Sequence, residues 1–199
     1  MALASVEYSQ TLSFKRKGRG FEFRIFAGLN GELENGKVSS AYFNNHLHMN
    51  GQGGYDDFLF DEVFLGRSER EGILSQQFTA TQGGFKVATY TGQAQTWLAA
   101  LNIGIPFPGK IPLYGFGDIG VYDTSIPNSL KTKGNLMYDF GIELRIIPKV
   151  FSIYFPLGYS NDVKDVYDNN EKQFGNYLKK IRFELNISKS SDLSIGAKD

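Results

Sequence analysis

Apolar and polar residues alternate along most of this chain. Val6, Tyr8, Gln10, Leu12 and Phe14 oppose Glu7, Ser9, Thr11 and Ser13, and Phe21, Phe23, Ile25, Ala27 and Leu29 oppose Glu22, Arg24 and Asn30. The same beat runs through Ala41 to Met49 with one break at Asn45, through Trp97 to Ile105, and through Tyr138 to Ile146 against Asp139, Gly141, Glu143 and Arg145. Phe151 to Leu157 and Ile181 to Ile187 complete the series. A period of two places successive side chains on opposite faces of an extended strand. No segment carries a sustained 3.6-residue stripe, so the pattern predicts an all-β chain. Strands are expected at roughly 5–16, 20–30, 38–50, 56–66, 93–106, 111–122, 135–147, 150–159 and 177–188, where alternation is bounded by turn residues.

Alternation does not say which face is wet. A soluble barrel buries its apolar face inward, whereas a membrane barrel turns it outward with the same sequence pattern. The connections separate the two. Those at 17–19, 51–55, 107–110 and 148–149 are short, and those at 31–37, 67–92, 123–134 and 160–176 are longer. Short turns on one rim and long polar loops on the other are the habit of outer-membrane barrels. Strands of about 10–13 residues suit a tilted crossing of the hydrocarbon layer. The expected fold is therefore an antiparallel up-and-down transmembrane β-barrel over residues 1–188, followed by a polar tail at 189–199. Bacterial barrels have even strand numbers with both ends on the short-turn rim, so an odd count predicts either a missed strand within 73–91 or a piece of a larger barrel.

Composition narrows this further. Lys and Arg number 21 against 21 Asp and Glu, so there is no basic field to draw nucleic acid. Aromatics make up 15%, and Gly contributes 23 residues. A mean hydropathy of −0.28 fits a barrel whose lumenal residues offset its lipid-facing ones. The absence of Cys excludes disulfides, thiolate metal sites and a cysteine nucleophile. No apolar run reaches the roughly 18 residues of a membrane helix. Residues 1–5 show neither a basic nor an apolar leader region. An exported barrel needs such a leader, so the chain is expected to derive from a longer precursor.

Counting back from the C-terminus, the long connection 67–92 separates the sixth-last and fifth-last strands. Leu113-Tyr114-Gly115-Phe116-Gly117-Asp118-Ile119-Gly120 carries a hydrophobic–Asp–x–Gly pattern. A hairpin follows, from Tyr138-Asp139-Phe140-Gly141-Ile142-Glu143-Leu144 to Val150-Phe151-Ser152-Ile153-Tyr154-Phe155-Pro156-Leu157. These features resemble the C-terminal half of barrels of the Omp85 superfamily, which assemble or secrete outer-membrane proteins. That resemblance implies a lumen-entering loop whose Arg pairs with a lumenal Asp. Here the implied partner of Asp118 is Arg67, in Phe64-Leu65-Gly66-Arg67, with Arg70 second. The terminal aromatic usual in the family is replaced by Ile187 and the polar tail. The same segments are similar to barrels fused behind membrane metallopeptidases of Bacteroidetes-type bacteria.

The charges on the expected lumenal face, Glu22, Arg24, Asp118, Asp139, Glu143, Arg145, Lys180, Arg182 and Glu184, recur with both signs on neighbouring strands. Charges withdrawn from water cost several kcal/mol unless paired, so a structural network is the better reading than a catalytic carboxylate pair. His46 and His48 share one strand face and form a weak metal candidate. Gly51-Gln52-Gly53-Gly54 and Gly83-Gly84 lack the Lys-Ser/Thr sequel of a phosphate loop and read as turns. Asp56, Asp57, Asp61 and Glu62 do not follow calcium-loop spacing. There is no Gly-x-Ser-x-Gly nucleophile elbow. Tyr8, Phe21, Trp97, Tyr138, Phe151 and Tyr177 are candidates for interfacial aromatic girdles.

The sequence thus predicts no catalysis and no cofactor. It predicts a bacterial outer-membrane location, with lipid as the immediate partner. Other envelope proteins, or periplasmic domains of the same precursor, are the expected protein partners. Insertion or translocation of envelope proteins leads. Anchoring of an upstream enzyme or surface domain, and a soluble ligand-binding barrel, remain open.

Overall fold

The computed structural model describes residues 2–14, 19–31, 47–54, 62–89, 91–94, 96–123, 134–170 and 175–186. Its frame is a seven-stranded antiparallel sheet curled into a half-barrel. The strands are β1 (Ala2–Ser13), β2 (Gly20–Gly31), β7 (Trp97–Pro106), β8 (Leu113–Asp123), β9 (Gly134–Ile147), β10 (Phe151–Tyr159) and β11 (Arg182–Leu185), neighbours in that order. Four two-residue strands, β3 (Leu47–His48), β4 (Gln52–Gly53), β5 (Phe78–Thr79) and β6 (Gln93–Ala94), pair with one another off this sheet.

The expected all-β class holds, and the strand plan needs three corrections. β2 pairs directly with β7, so the described residues between them form an insertion and are not part of the wall. The alternation ending in Leu47 and Met49 therefore sends both side chains into the core from inside the sheet, where they are almost fully buried. Residues 63–66 form no strand; the rest of the predicted segments 38–50 and 56–66 lies partly outside the described residues, at 38–46 and 56–61. At the C-terminal end, Tyr177–Lys180 is a 3-10 turn and the strand occupies only Arg182–Leu185. Last, a helix, α1 (Asn161–Asn169), follows β10. Its nine residues bury only Val163 and Tyr167, one turn apart, a stripe too brief to register as a 3.6-residue period. Among the described residues between 73 and 91 the one strand is β5, which lies in the insertion.

The chain passes from β1 to β2, β7 to β8 and β9 to β10 at one end of the sheet, and from β2 to β7, β8 to β9 and β10 to β11 at the other. The two faces of the wall differ in kind. The outer face carries Phe21, Phe23, Ile25, Ala27 and Leu29, then the odd positions from Trp97 to Ile105 and from Leu113 to Val121. It continues with the even positions from Leu136 to Ile146 and the odd ones from Phe151 to Leu157, and none of these residues is charged. Leu29, Ile105, Leu136, Phe140 and Leu157 are each more than half exposed. The inner face is where the protein is packed. Phe26, Leu98, Ala100, Tyr122 and Met137 of the wall meet Leu47, Met49, Phe85, Val87 and Ala94 of the insertion, with Val163 and Tyr167 of α1 closing the long-loop end. Each Val, Leu, Phe or Met among them taken from water contributes about 1.5–3 kcal/mol.

Wall glycines make room for the insertion. A Cβ on Gly28 would stand 2.9 Å from Leu47 Cδ2, and one on Gly120 2.6 Å from Met49 Sδ. Pro156, which has no N–H for the ladder, sits at the register irregularity opposite Gly141, where a missing donor is tolerated.

Candidate functional site

Strand register assembles a polar row across the inner face. Arg24 on β2 stands opposite Asn102 on β7, Asn102 opposite Asp118 on β8, and Asp118 opposite Asp139 on β9. Residues 82–87 of the insertion cross this row, and wall side chains hold their backbone. Arg24 Nη1 donates to the Gln82 carbonyl at 2.7 Å, and Asn102 Nδ2 donates to the Gly83 carbonyl at 2.8 Å. Asp139 Oδ2 accepts from the backbone N–H groups of Lys86 and Val87, both at 3.0 Å. Arg182 Nη1 on β11 donates to the Val87 carbonyl at 3.2 Å, its guanidinium 4.5 Å over the Phe78 ring.

The side-chain anchor is Lys86, whose Nζ lies 2.8 Å from Asp118 Oδ1. Asn102 knits the row together: its amide donates to Asp118 Oδ1 at 2.9 Å, and its oxygen accepts from Arg24 Nη1 at 2.9 Å. The approach is close enough to demand glycine at Gly84. Its φ is +67°, and its missing Cβ would meet Arg24 Nη1 at 2.8 Å.

A second cluster lies toward the short-turn rim. Arg145 on β9 spans to Glu22 on β2 with two bonds of 2.7 Å, and holds Glu143 at 2.8 and 2.9 Å. Its guanidinium is 3.5 Å from the Tyr114 ring centroid, and Ser152 Oγ donates to Glu143 Oε1 at 2.9 Å. The fork reaches across β7 and β8 because Gly104, in register with Glu22, offers no side chain in its path. This chord ties β2 to β9 across the two strands between them. Between the two clusters remains a cavity of about 270 Å³, lined by Glu22, Arg24, Lys86, Glu143, Arg145 and Tyr154 among others.

The predicted lumenal charges are accordingly found on the inner face, with one exception. Glu184 accepts from Tyr154 Oη at 3.0 Å there, but Lys180 belongs to the 3-10 turn, not to a strand. Its ammonium lies 4.7 Å from the Tyr167 ring and 3.2 Å from Tyr159 Oη. Burial raises the Tyr167 phenol above its ordinary range, keeping it a neutral partner for that cation.

The predicted pairing of Arg67 with Asp118 is replaced by that of Lys86 with Asp118. Arg67 lies in a turn, bonds the Glu62 carbonyl and stacks 5.4 Å from Phe64, while Arg70 is exposed. The physical reason is reach along the chain: residues 82–87, not 67–70, cross the Asp118 row. Sequence reasoning missed Lys86. The available signal was Phe85-Lys86-Val87, a lone cation between two apolar residues directly after Gly83-Gly84. His48 lies on β3 opposite Gln93, whereas His46, Asp56, Asp57 and Asp61 lie outside the described residues. Tyr8 and Tyr138 occupy mid-strand positions in one ladder with Ile25, Leu101 and Ile119, so they are not rim residues.

No family model, curated protein or solved structure matches this chain. What the site can do follows from its own chemistry. Most of its donors and acceptors are spent on the backbone of the insertion and on one another, an arrangement that grips a segment in a fixed pose.

Proposed function

We infer that this chain forms wall and plug of a bacterial outer-membrane β-barrel of Omp85-like type, serving in the insertion or translocation of envelope proteins. The observation that carries the reading is the outer face. From Phe21 to Leu157 it is apolar, uncharged and half-buried to exposed, while Glu22, Arg24, Asp118, Asp139, Glu143 and Arg145 all face inward. Monomeric soluble proteins rarely expose contiguous apolar patches beyond a few hundred Å², and outward-apolar, inward-polar alternation is the arrangement lipid selects. No helix among the described residues is long and apolar enough to cross a membrane.

The assembly role, as against simple anchoring, draws support from the gripped segment. It leaves the wall between the sixth-last and fifth-last strands of the sheet and meets a lumenal Asp, the position and partner type that the family resemblance implies. A soluble ligand-binding barrel fits less well, because Leu47, Met49, Phe85 and Val87 fill much of the concave side.

The membrane reading is tested by purifying the chain with and without detergent and comparing gel mobility before and after boiling. A detergent requirement with heat-modifiable migration is expected; a monodisperse monomer in plain buffer overturns it. The assembly role is tested by depleting the protein and following the folded levels of other outer-membrane proteins. Unchanged levels leave the anchoring alternative.

A further inference from the structure

Asp118 and Asp139 stand directly opposite each other on β8 and β9, side chains on the inner face, at 3% and 1% exposure. Like charges in that relationship are destabilising. Two of the four carboxyl oxygens in the pair are accounted for: Lys86 Nζ and Asn102 Nδ2 donate to Asp118 Oδ1, and two backbone N–H groups donate to Asp139 Oδ2. The remaining oxygens, Asp118 Oδ2 and Asp139 Oδ1, are buried and receive no donor, and strand register sets the two carboxyl groups side by side. A proton shared between neighbouring buried carboxyl groups relieves their repulsion and supplies the missing donor.

We propose that Asp118 and Asp139 hold one proton between them at neutral pH, forming an acid–carboxylate bridge that closes the wall beneath the inserted segment. The charge count agrees. Two carboxyl groups sharing one proton carry −1, which the directly bonded Lys86 balances; loss of the proton adds a second negative charge to an almost fully buried pair. The surrounding groups leave the bridge in place. Arg24 on β2 is taken up by Glu7, with bonds of 2.8 and 2.7 Å, and by Asn102 and Gln82. Arg145 on β9 is shared between Glu22 and Glu143. Arg182 on β11 donates to the Val87 carbonyl, and Tyr167 on α1 presents a neutral phenol. None of these donates to either orphaned oxygen. Proton loss expels the Lys86–Val87 backbone from its seat, since Asp139 repelled by Asp118 no longer holds the position that receives both N–H groups. The bridge is therefore a pH-sensitive latch on the insertion, independent of what surrounds the outer face.

The test is infrared spectroscopy of the full folded chain in H2O and D2O. Expected is a protonated-carboxyl C=O band in the wild type at neutral pH, shifted in D2O and lost in both Asp139→Asn and Asp118→Asn, since an amide supplies the missing donor itself. A wild-type spectrum without the band, or a band that survives in either variant, overturns the proposal. Should neither variant fold, the wild type decides through an alkaline titration followed by infrared and hydrogen exchange. Disappearance of the band together with exchange protection at the 86 and 87 amides supports the latch, and absence of the band at neutral pH refutes it.

Discussion

The Lys86 ammonium stands 2.8 Å from Asp118 Oδ1, with side chains 9% and 0% exposed, and so ties a cation of the insertion to an anion of the wall. Removing one member of a buried ion pair strands the other, at a cost of about 3–5 kcal/mol, whereas removing both is far milder. Lys86→Met is therefore expected to lower the thermal midpoint of the folded chain sharply. Asp118→Asn in that background is expected to recover most of the loss. Additive effects in this double-mutant cycle would show that the two charges are not coupled.

Arg145 does a different job, as a chord between β2 and β9. Arg145→Lys keeps the charge but loses the planar fork that serves Glu22 and Glu143 together. Arg145→Met leaves Glu143, 5% exposed, without its cation. The expected order of denaturant midpoints is wild type, then Lys, then Met, with the Met variant about 3–5 kcal/mol below wild type. Equal midpoints for Arg and Lys would mean that charge alone, not fork geometry, ties β2 to β9.

At Gly28 the neighbours of an added Cβ are all side-chain atoms, Leu47 Cδ2 at 2.9 Å nearest. Gly28→Ala is expected to cost about 1–3 kcal/mol, the usual range for overpacking a filled core. In a Leu47→Ala background the same substitution is expected to cost less than half as much, measured by chemical denaturation. An unchanged cost would place the clash elsewhere than on the insertion.

How far the sequence reveals this architecture depends on which interactions are local. The wall from Trp97 to Tyr159 is legible because period-two alternation and the tight turns at 107–112 and 148–150 are local signals. Leu47 and Met49 alternate in the same way, yet they belong to the insertion. Alternation reports two unlike faces and is silent on whether the strand lies in the wall or inside it. The inner-face charges are legible one by one, since each occupies a polar beat of a strand. Their partners are not, because Lys86 meets Asp118 through a fold of the insertion across 32 residues of chain. The α1 helix escapes for a related reason: its apolar stripe is only Val163, Val166 and Tyr167, and it acquires meaning only against the core cluster that holds Phe85 and Val87.

Ile119 gives the sharpest separation between lipid and water outside the wall. It lies mid-strand on β8, 46% exposed on the outer face, in one ladder with Ile25, Leu101 and Tyr138. In water, replacing an exposed side chain that makes no special contact changes stability by about 0.5 kcal/mol at most. In hydrocarbon, an Arg facing lipid near the midplane of a barrel costs about 2–4 kcal/mol, falling toward zero near the interfaces. Ile119→Arg is therefore expected to destabilise the chain folded in lipid vesicles by about 2–4 kcal/mol. Leu29→Arg, at the long-loop end of β2, is expected to cost much less. This gradient along the strand distinguishes a bilayer from any uniform solvent. Equal and small effects at both positions would overturn the membrane reading while leaving the grip of Asp118 on Lys86 untouched.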